Sequence, residues 1–176
     1  MLILEHNKSK PAKGKDNKNS VFWSFCKGHK EGEESDVQTA IRELREEADL
    51  EVRRLWMEEE TWQEFCTAVC SATDGSESQE GLSDPTGNPR TFVERYPVDN
   101  NKFRRQVQKE VRFFVAMIEA SEEDVDVTKS KGEITHYKWV PLQSTRNEVE
   151  TLTDMFREDL YLFERIKQAI LGDDLV

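Results

Sequence analysis

Three glutamates in one short run, Arg42-Glu43-Leu44-Arg45-Glu46-Glu47, carry the clearest chemistry in the chain. In a helix each residue turns about 100° from the last, so Glu43, Glu46 and Glu47 share one face while Ile41 and Leu44 point to the core. Like charges at that spacing cost an isolated helix about 0.2–0.5 kcal/mol per pair. With partial burial the repulsion rises to about 4 kcal/mol at roughly 4 Å and an effective dielectric of about 20. A divalent cation removes the conflict, and hard oxygen ligands select Mg²⁺ or Mn²⁺ over zinc. Arg42 and Glu34 carry opposite charges and could pair, bracing the preceding loop against the helix. The competing reading of the helix by itself is a solvated acidic face, a common feature of protein surfaces.

To position those carboxylates the helix needs a start, a stop and a buried stripe. Val37, Ala40, Ile41 and Leu44 recur at spacings of three and four and supply the stripe. Ser35 or Asp36 supplies an N-cap, and the helix is expected to end near Asp49. Residues 2–5 read as a short buried strand and residues 21–25 as a β-branched and aromatic one. Residues 50–52 read as extended, and residues 53–69 as strand-like before a short helix over about 60–69. Residues 70–90, rich in Ser, Gly, Asp and Pro, read as a mobile surface insertion.

Further strands are predicted over 91–96, 110–118 and 136–140, with 124–128 a loop or edge segment. From Thr145 the spacing of Leu152, Met155, Phe156, Leu160, Phe163, Ile166 and Ile170 predicts one C-terminal helix over about 146–171, packed on the sheet. Strands with a few long helices, out of strict alternation, imply a single α/β (α+β) sandwich domain over residues 1–176.

Composition limits the partners. Charged residues make up 35% of the 176 and apolar ones 36%, which leaves a compact core under a solvated surface. A net charge of −11 argues against general binding to nucleic acid or anionic membranes. No run approaches the roughly 18–20 apolar residues of a membrane span, and residues 1–5 are too short for a signal peptide, so a cytoplasmic monomer is expected. Cys26, Cys66 and Cys70 are odd in number and lack zinc spacing, so they read as reduced packing thiols.

From Gly28 the chain reads Gly28-His29-Lys30-Glu31-Gly32-Glu33-Glu34, then seven residues, then Arg42-Glu43-Leu44-Arg45-Glu46-Glu47-Ala48-Asp49-Leu50. This resembles the Nudix box: Gly, five residues, Glu, seven residues, then Arg-Glu-aliphatic-x-Glu-Glu-x-Gly-aliphatic. Every fixed position matches except one, where Asp49 replaces Gly. The resemblance covers roughly residues 2–143 and implies a Mg²⁺-dependent hydrolase of diphosphate bonds on an α/β/α sandwich with a mixed sheet. It implies Glu43, Glu46 and Glu47 as metal ligands and Glu34 with Arg42 as their support. The backbone near Lys27 and Gly28 would approach metal and phosphate. Asp tolerates the left-handed conformation better than most residues, so the Asp49 departure is expected to be structural. The family also places a strand before residues 2–5, for which Met1 leaves no room, so the expectation is either a truncated chain or a sheet without that first strand.

The stretch Trp23-Ser24-Phe25-Cys26-Lys27-Gly28-His29-Lys30 is similar to the W-x-x-P-K-G-H segment of the diadenosine and diphosphoinositol polyphosphate branch, with Cys26 in place of Pro. Lys109-Glu110-Val111-Arg112-Phe113-Phe114 and Glu133-Ile134-Thr135-His136-Tyr137-Lys138-Trp139 are similar to that branch's later strand and E-x-x-x-Y-x-W segment. By that resemblance Glu133 is an extra carboxylate, a fourth metal ligand or general base; the alternative is a loop Glu capping the next strand. Glu47 or Glu133 would take the proton of the attacking water.

Two cationic clusters bear on the substrate. Lys8, Lys10, Lys13, Lys15 and Lys18, with Lys27, His29 and Lys30, could rim the pocket, and Lys102, Arg104, Arg105, Lys109 and Arg112 form the second cluster. On so acidic a chain they suit a compact polyanion such as an inositol pyrophosphate, although solvated loop charge is the plainer account of any one lysine. A dinucleoside polyphosphate would want a stacking aromatic, for which Phe92, Tyr96 and Tyr137 are candidates that also suit core packing. His29 and His136 read as phosphate contacts or surface residues, not as metal ligands. A non-catalytic ligand-sensing Nudix module is opposed by the intact carboxylates, and an mRNA cap-removing enzyme by the lack of a long basic path.

Overall fold

The computed structural model describes residues 1–7, 21–71, 88–100, 105–118, 120–152 and 157–172. The chain runs β1 (Leu2–Asn7), β2 (Val21–Ser24), α1 (Asp36–Ala48), β3 (Val52–Leu55), α2 (Trp62–Ser71), β4 (Thr91–Asn100), β5 (Arg105–Phe114) and β6 (Ala116–Ile118). Two 3₁₀ turns (Glu122–Asp124 and Val127–Ser130) follow, then β7 (Ile134–Trp139), α3 (Arg146–Leu152) and α4 (Arg157–Gly172).

Strand β1 lies between β2 and β7, with Leu4 opposite Ser24 and Tyr137, and Glu5 opposite Trp23 and His136. Its side chains alternate between two buried surfaces, as the period of two requires. Leu4 packs with Ala48, Leu50, Val125 and Ile134 on the α1 side. Ile3 packs with Trp23, Phe163 and Ile166 on the α4 side. A helix on each face makes the α+β sandwich. Strands β3 and β6 form a second pair, and β4 and β5 a ten-residue ribbon whose register runs from Thr91↔Phe114 to Asn100↔Arg105.

Helix α1 is fixed locally at both ends. Ser35 Oγ accepts from the Gln38 N–H (3.2 Å) and Gln38 Oε1 accepts from the Ser35 N–H (2.7 Å), a reciprocal capping box. Asp49 ends the helix in the left-handed region (φ 56°), its N–H donating to the Arg45 carbonyl.

The structure departs from the sequence-based expectations at several places. Every strand pairing among the described residues is antiparallel, so the parallel part of the expected mixed sheet is not found there. The strand expected over 110–118 breaks at Val115, whose carbonyl accepts from the Trp56 N–H (3.0 Å) and turns the chain into the β3–β6 pair. Of residues 124–128, Asp124 ends the first 3₁₀ turn, 125–126 link the two and 127–128 begin the second, so the segment is the loop and not the edge strand. The single helix expected over about 146–171 is two, because an apolar spacing does not reveal a reversal of direction. Lys167 Nζ in α4 donates back to the Ser144 carbonyl (2.8 Å), just ahead of α3. Of the insertion expected over 70–90, residues 72–87 lie outside the described residues, and α2 extends to Ser71. Among the described residues no helix is long and apolar enough to cross a membrane.

Candidate active site

Glu47 lies on the inward edge of α1 and is only 7% exposed. The Lys27 N–H donates to its Oε2 at 3.3 Å, and the Cys26 thiol hydrogen-bonds to the same carboxylate. Burial, with added repulsion from Glu43 and Glu133, pushes the Glu47 pKa up to about 7, against the pull of the Cys26 and Lys27 hydrogen bonds. Cys26 is pushed well above the usual thiol range by its own burial and then by the Glu47 charge, so it keeps its proton and donates a hydrogen bond to the carboxylate instead of forming a thiolate nucleophile. His6 of β1 completes this environment, with Nδ1 3.9 Å from Glu47 Oε1 and its ring stacked on Phe22 at 5.1 Å. Burial and then the Lys27 charge lower the His6 pKa to about 4, so the approach to Glu47 is that of a neutral imidazole and not an ion pair.

Arg42 is the hub of the box. Its Nε and Nη2 donate to the two Glu34 oxygens (3.2 and 2.9 Å), and Nη2 also donates to the His29 carbonyl (2.8 Å). Arg42 first, and then the Glu31 N–H, hold Glu34 down to about 2. The guanidinium is raised in turn by its hydrogen bond to Glu34. This fork ties the loop to the helix, as paired charges at positions 34 and 42 suggest. Arg42 Nη1 donates to Glu43 Oε1 (2.9 Å) and Glu46 Oε2 (3.2 Å). Gly28 closes the loop against the helix so tightly that a Cβ there would fall 1.7 Å from Glu43 Cδ.

Two of the three carboxylates expected around one cation are therefore gathered on a guanidinium. Glu43 and Glu46 meet at Arg42, and the Glu46 side chain is 59% exposed. Glu133 lies on the turn between the second 3₁₀ segment and β7, its N–H donating to the Ser130 carbonyl (3.1 Å), and its charge reaches Glu47. Among the described residues no group of three or more His, Cys, Asp or Glu side chains forms a metal cage.

The cationic candidates divide. The Lys27 ammonium faces Asp159 Oδ1 of α4 at 3.5 Å. Lys30 Nζ (3.5 Å) and Arg112 Nη1 (2.8 Å) converge on Asp36 at the start of α1. His29 is exposed and contributes its carbonyl to Arg42. His136 pairs with Glu5 Oε2 (2.5 Å) across β1 and β7. Arg105 begins β5 opposite Asn100, whereas Lys8, Lys10, Lys13, Lys15, Lys18, Lys102 and Arg104 lie outside the described residues. Phe92 is buried in the core, Tyr137 packs against the cluster on the α1 side, and Tyr96 lies under Lys109 at 5.9 Å.

Sequence reasoning did not single out His6 or Asp159. Position 6 lies in phase with Leu4 on β1, a weak signal for an inward-facing polar residue. Asp159 is one of three acids on its helix, beside Glu158 and ahead of Glu164, and nothing local marks it.

A sandwich with a glutamate-bearing helix locked to a glycine loop defines a class of loop–helix–loop hydrolase domains. The NUDIX domain family model matches residues 2–161. The chain belongs to the Nudix family, and a Nudix domain implies a pyrophosphohydrolase. A search of curated proteins finds no match to the chain. Nudix hydrolases generally use divalent metals such as Mg²⁺, and the donors here suit one. They are carboxylate oxygens, and the repulsion from Glu43 and Glu133 that adds to the effect of burial at Glu47 is of the kind a hard cation relieves. Arg42 also supplies positive charge at Glu43 and Glu46.

Proposed function

We propose that this Nudix domain hydrolyses the phosphoanhydride bond of a compact polyanion, with diphosphoinositol polyphosphates as substrates ahead of diadenosine polyphosphates. The observation that carries the reading is Glu47, a buried carboxylate with its pKa near 7, oriented by a loop amide and flanked by Glu43 and Glu133. A general base accepts a proton in its ionised form, and a hard cation held among these carboxylates would favour that form at Glu47. Glu47 takes the proton of the attacking water, and the Lys27 N–H keeps its Oε2 oriented while it does so. Glu43, Glu46, Glu47 and Glu133 would hold the Mg²⁺ (or Mn²⁺), whose contribution is to neutralise charge on the diphosphate oxygens. Glu34 and Arg42 keep loop and helix in register.

The preference for an inositol substrate is supported by cationic residues beside the box. Lys30 and Arg112 converge on Asp36 and Arg112 and Arg95 on Glu110, three cations on two carboxylates, and Lys8, Lys10, Lys13, Lys15 and Lys18 add five more in the sequence leading to the box. The decisive assay follows, with Mg²⁺, phosphate release from diphosphoinositol polyphosphates and nucleotide release from dinucleoside polyphosphates and capped RNA. Turnover abolished by Glu47→Gln is expected. No turnover of any compound, with wild type and variant alike, would point to a non-catalytic binding module. Replacing the five lysines with Ala is expected to raise KM for the inositol substrate more than for the dinucleotide; equal effects would remove the stated preference.

A further inference from the structure

Lys27 is held twice. Its amide donates to Glu47 Oε2 at 3.3 Å, and its ammonium lies 3.5 Å from Asp159 Oδ1. Asp159 is in the first turn of α4 and is 2% exposed, while the Lys27 side chain is 26% exposed. A carboxylate that deep is tolerated when it is paired, and removing one partner of such a pair leaves an uncompensated charge. The exposed Lys30–Asp36 pair, at 51% and 41%, is screened by solvent and easily exchanged; the Lys27 pair is neither. A substrate phosphate competing for the Lys27 ammonium would have to strip it from a buried anion.

Residues 25–28 join β2 to the box outside any helix or strand, so no ladder of backbone hydrogen bonds sets the direction of the Lys27 amide. Its neighbours set it instead. Gly28 is pressed against Glu43 on one side, and the Lys27 side chain is drawn to α4 on the other. We infer that Asp159 is a positioning residue for Glu47: by fixing the Lys27 side chain from α4, it holds the Lys27 amide on the Glu47 carboxylate. The inference rests on the reading of Glu47 as a catalytic carboxylate. It gives the C-terminal helix a part in the chemistry and assigns Lys27 to the architecture of the site in place of substrate contact.

The test is Asp159→Asn in the full chain, which keeps the side-chain shape and removes the charge. With a diphosphoinositol polyphosphate or a diadenosine polyphosphate as probe, kcat should fall about 10-fold or more, the scale of losing a supporting contact behind a reactive group. KM should change by less than about threefold. Hydrogen exchange at the Lys27 amide should accelerate while the rest of β2 and α1 keeps its protection. Asp159→Glu, which keeps the charge, should recover part of kcat and of the Lys27 amide protection together; a merely structural anchor would lower protection across the fold, with no selective effect at Lys27. Should Asp159→Asn not fold, Lys27→Met removes the ammonium, keeps the amide and is read the same way. Unchanged protection at the Lys27 amide, or a lower KM with kcat intact, overturns the inference. If the wild type turns over neither probe, the hydrolase reading fails by itself, and the exchange rate at Lys27 decides the positioning role.

Discussion

Replacing Gly28 with Ala separates the geometry of the site from the stability of the fold. The new methyl carbon would lie 1.7 Å from Glu43 Cδ, and ordinary contact begins at 3.4 Å, so the carboxylate must retreat by about half that latter distance. Retreat breaks the 2.9 Å bond from Arg42 Nη1, at a cost of about 1 kcal/mol for a partly shielded charged hydrogen bond. Gly28 does not occupy the left-handed region, so Ala also stiffens the unfolded chain and returns about 0.4–1 kcal/mol. The melting temperature should therefore move little. Activity should not survive so well, because a displacement of about 1 Å at a reacting centre costs on the order of 10²-fold. Gly32→Ala is the control. Gly32 has φ +55° with nothing within 4 Å of a Cβ, so Ala there should cost about 1 kcal/mol of stability and leave turnover intact. Thermal unfolding and kcat/KM measured on the same preparations read both quantities. A Gly28→Ala protein within about threefold of wild-type activity would refute the claim that the Glu43 position matters.

Two further expectations concern Glu47 and Asp49. The folded-state pKa of Glu47, about 7, lies above its ordinary 4.5, so the folded protein binds this proton more tightly than the unfolded chain. The stabilisation is complete below about pH 4.5 and is lost as pH rises to about 7, a change of roughly 3 kcal/mol. Urea unfolding with chelator present should show wild type losing stability across that window and Glu47→Gln losing much less; parallel curves would refute the burial account. Asp49→Gly removes a left-handed strain of about 1 kcal/mol and an exposed pair with Lys129 worth about 0–1 kcal/mol, so stability should stay within about 1 kcal/mol. Turnover should match wild type, and a collapse of kcat would show that the Asp49 departure is more than structural.

Features written in adjacent residues were the ones legible in the sequence. The α1 boundaries follow from an N-cap at Ser35 or Asp36, which the structure places at Ser35, and from Asp49, and the Glu34–Arg42 pairing needs only a loop and one helix. The facing of Glu43, Glu46 and Glu47 follows from helical turn angle, but their partner does not: Arg42 reaches both Glu43 and Glu46 by side-chain flexibility that spacing cannot express. Lys27 looks like a free cation beside the box until α4 folds over and places Asp159 against it. His6 turns inward because it follows Leu4 on the face of β1 that α1 covers, and only the fold shows which face that is. The reversal between α3 and α4 is hidden because both helices carry apolar residues at the same spacing, and Val149 and Phe163 reach one core.

The central place of β1 sets when the site can come into being during synthesis. Glu5 and His136 bond across 131 residues, and His6 and Glu133 stand at the two sides of that same seam. A nascent chain that has released the entire glycine loop and α1 still lacks β7, so Glu47 has no closed sheet beneath it. Joining segments so distant is slow for any polypeptide, and apolar surface stays open in the interval. A shortened product ending before residue 134 would carry every box residue and still be unable to shield the carboxylate that the chemistry needs.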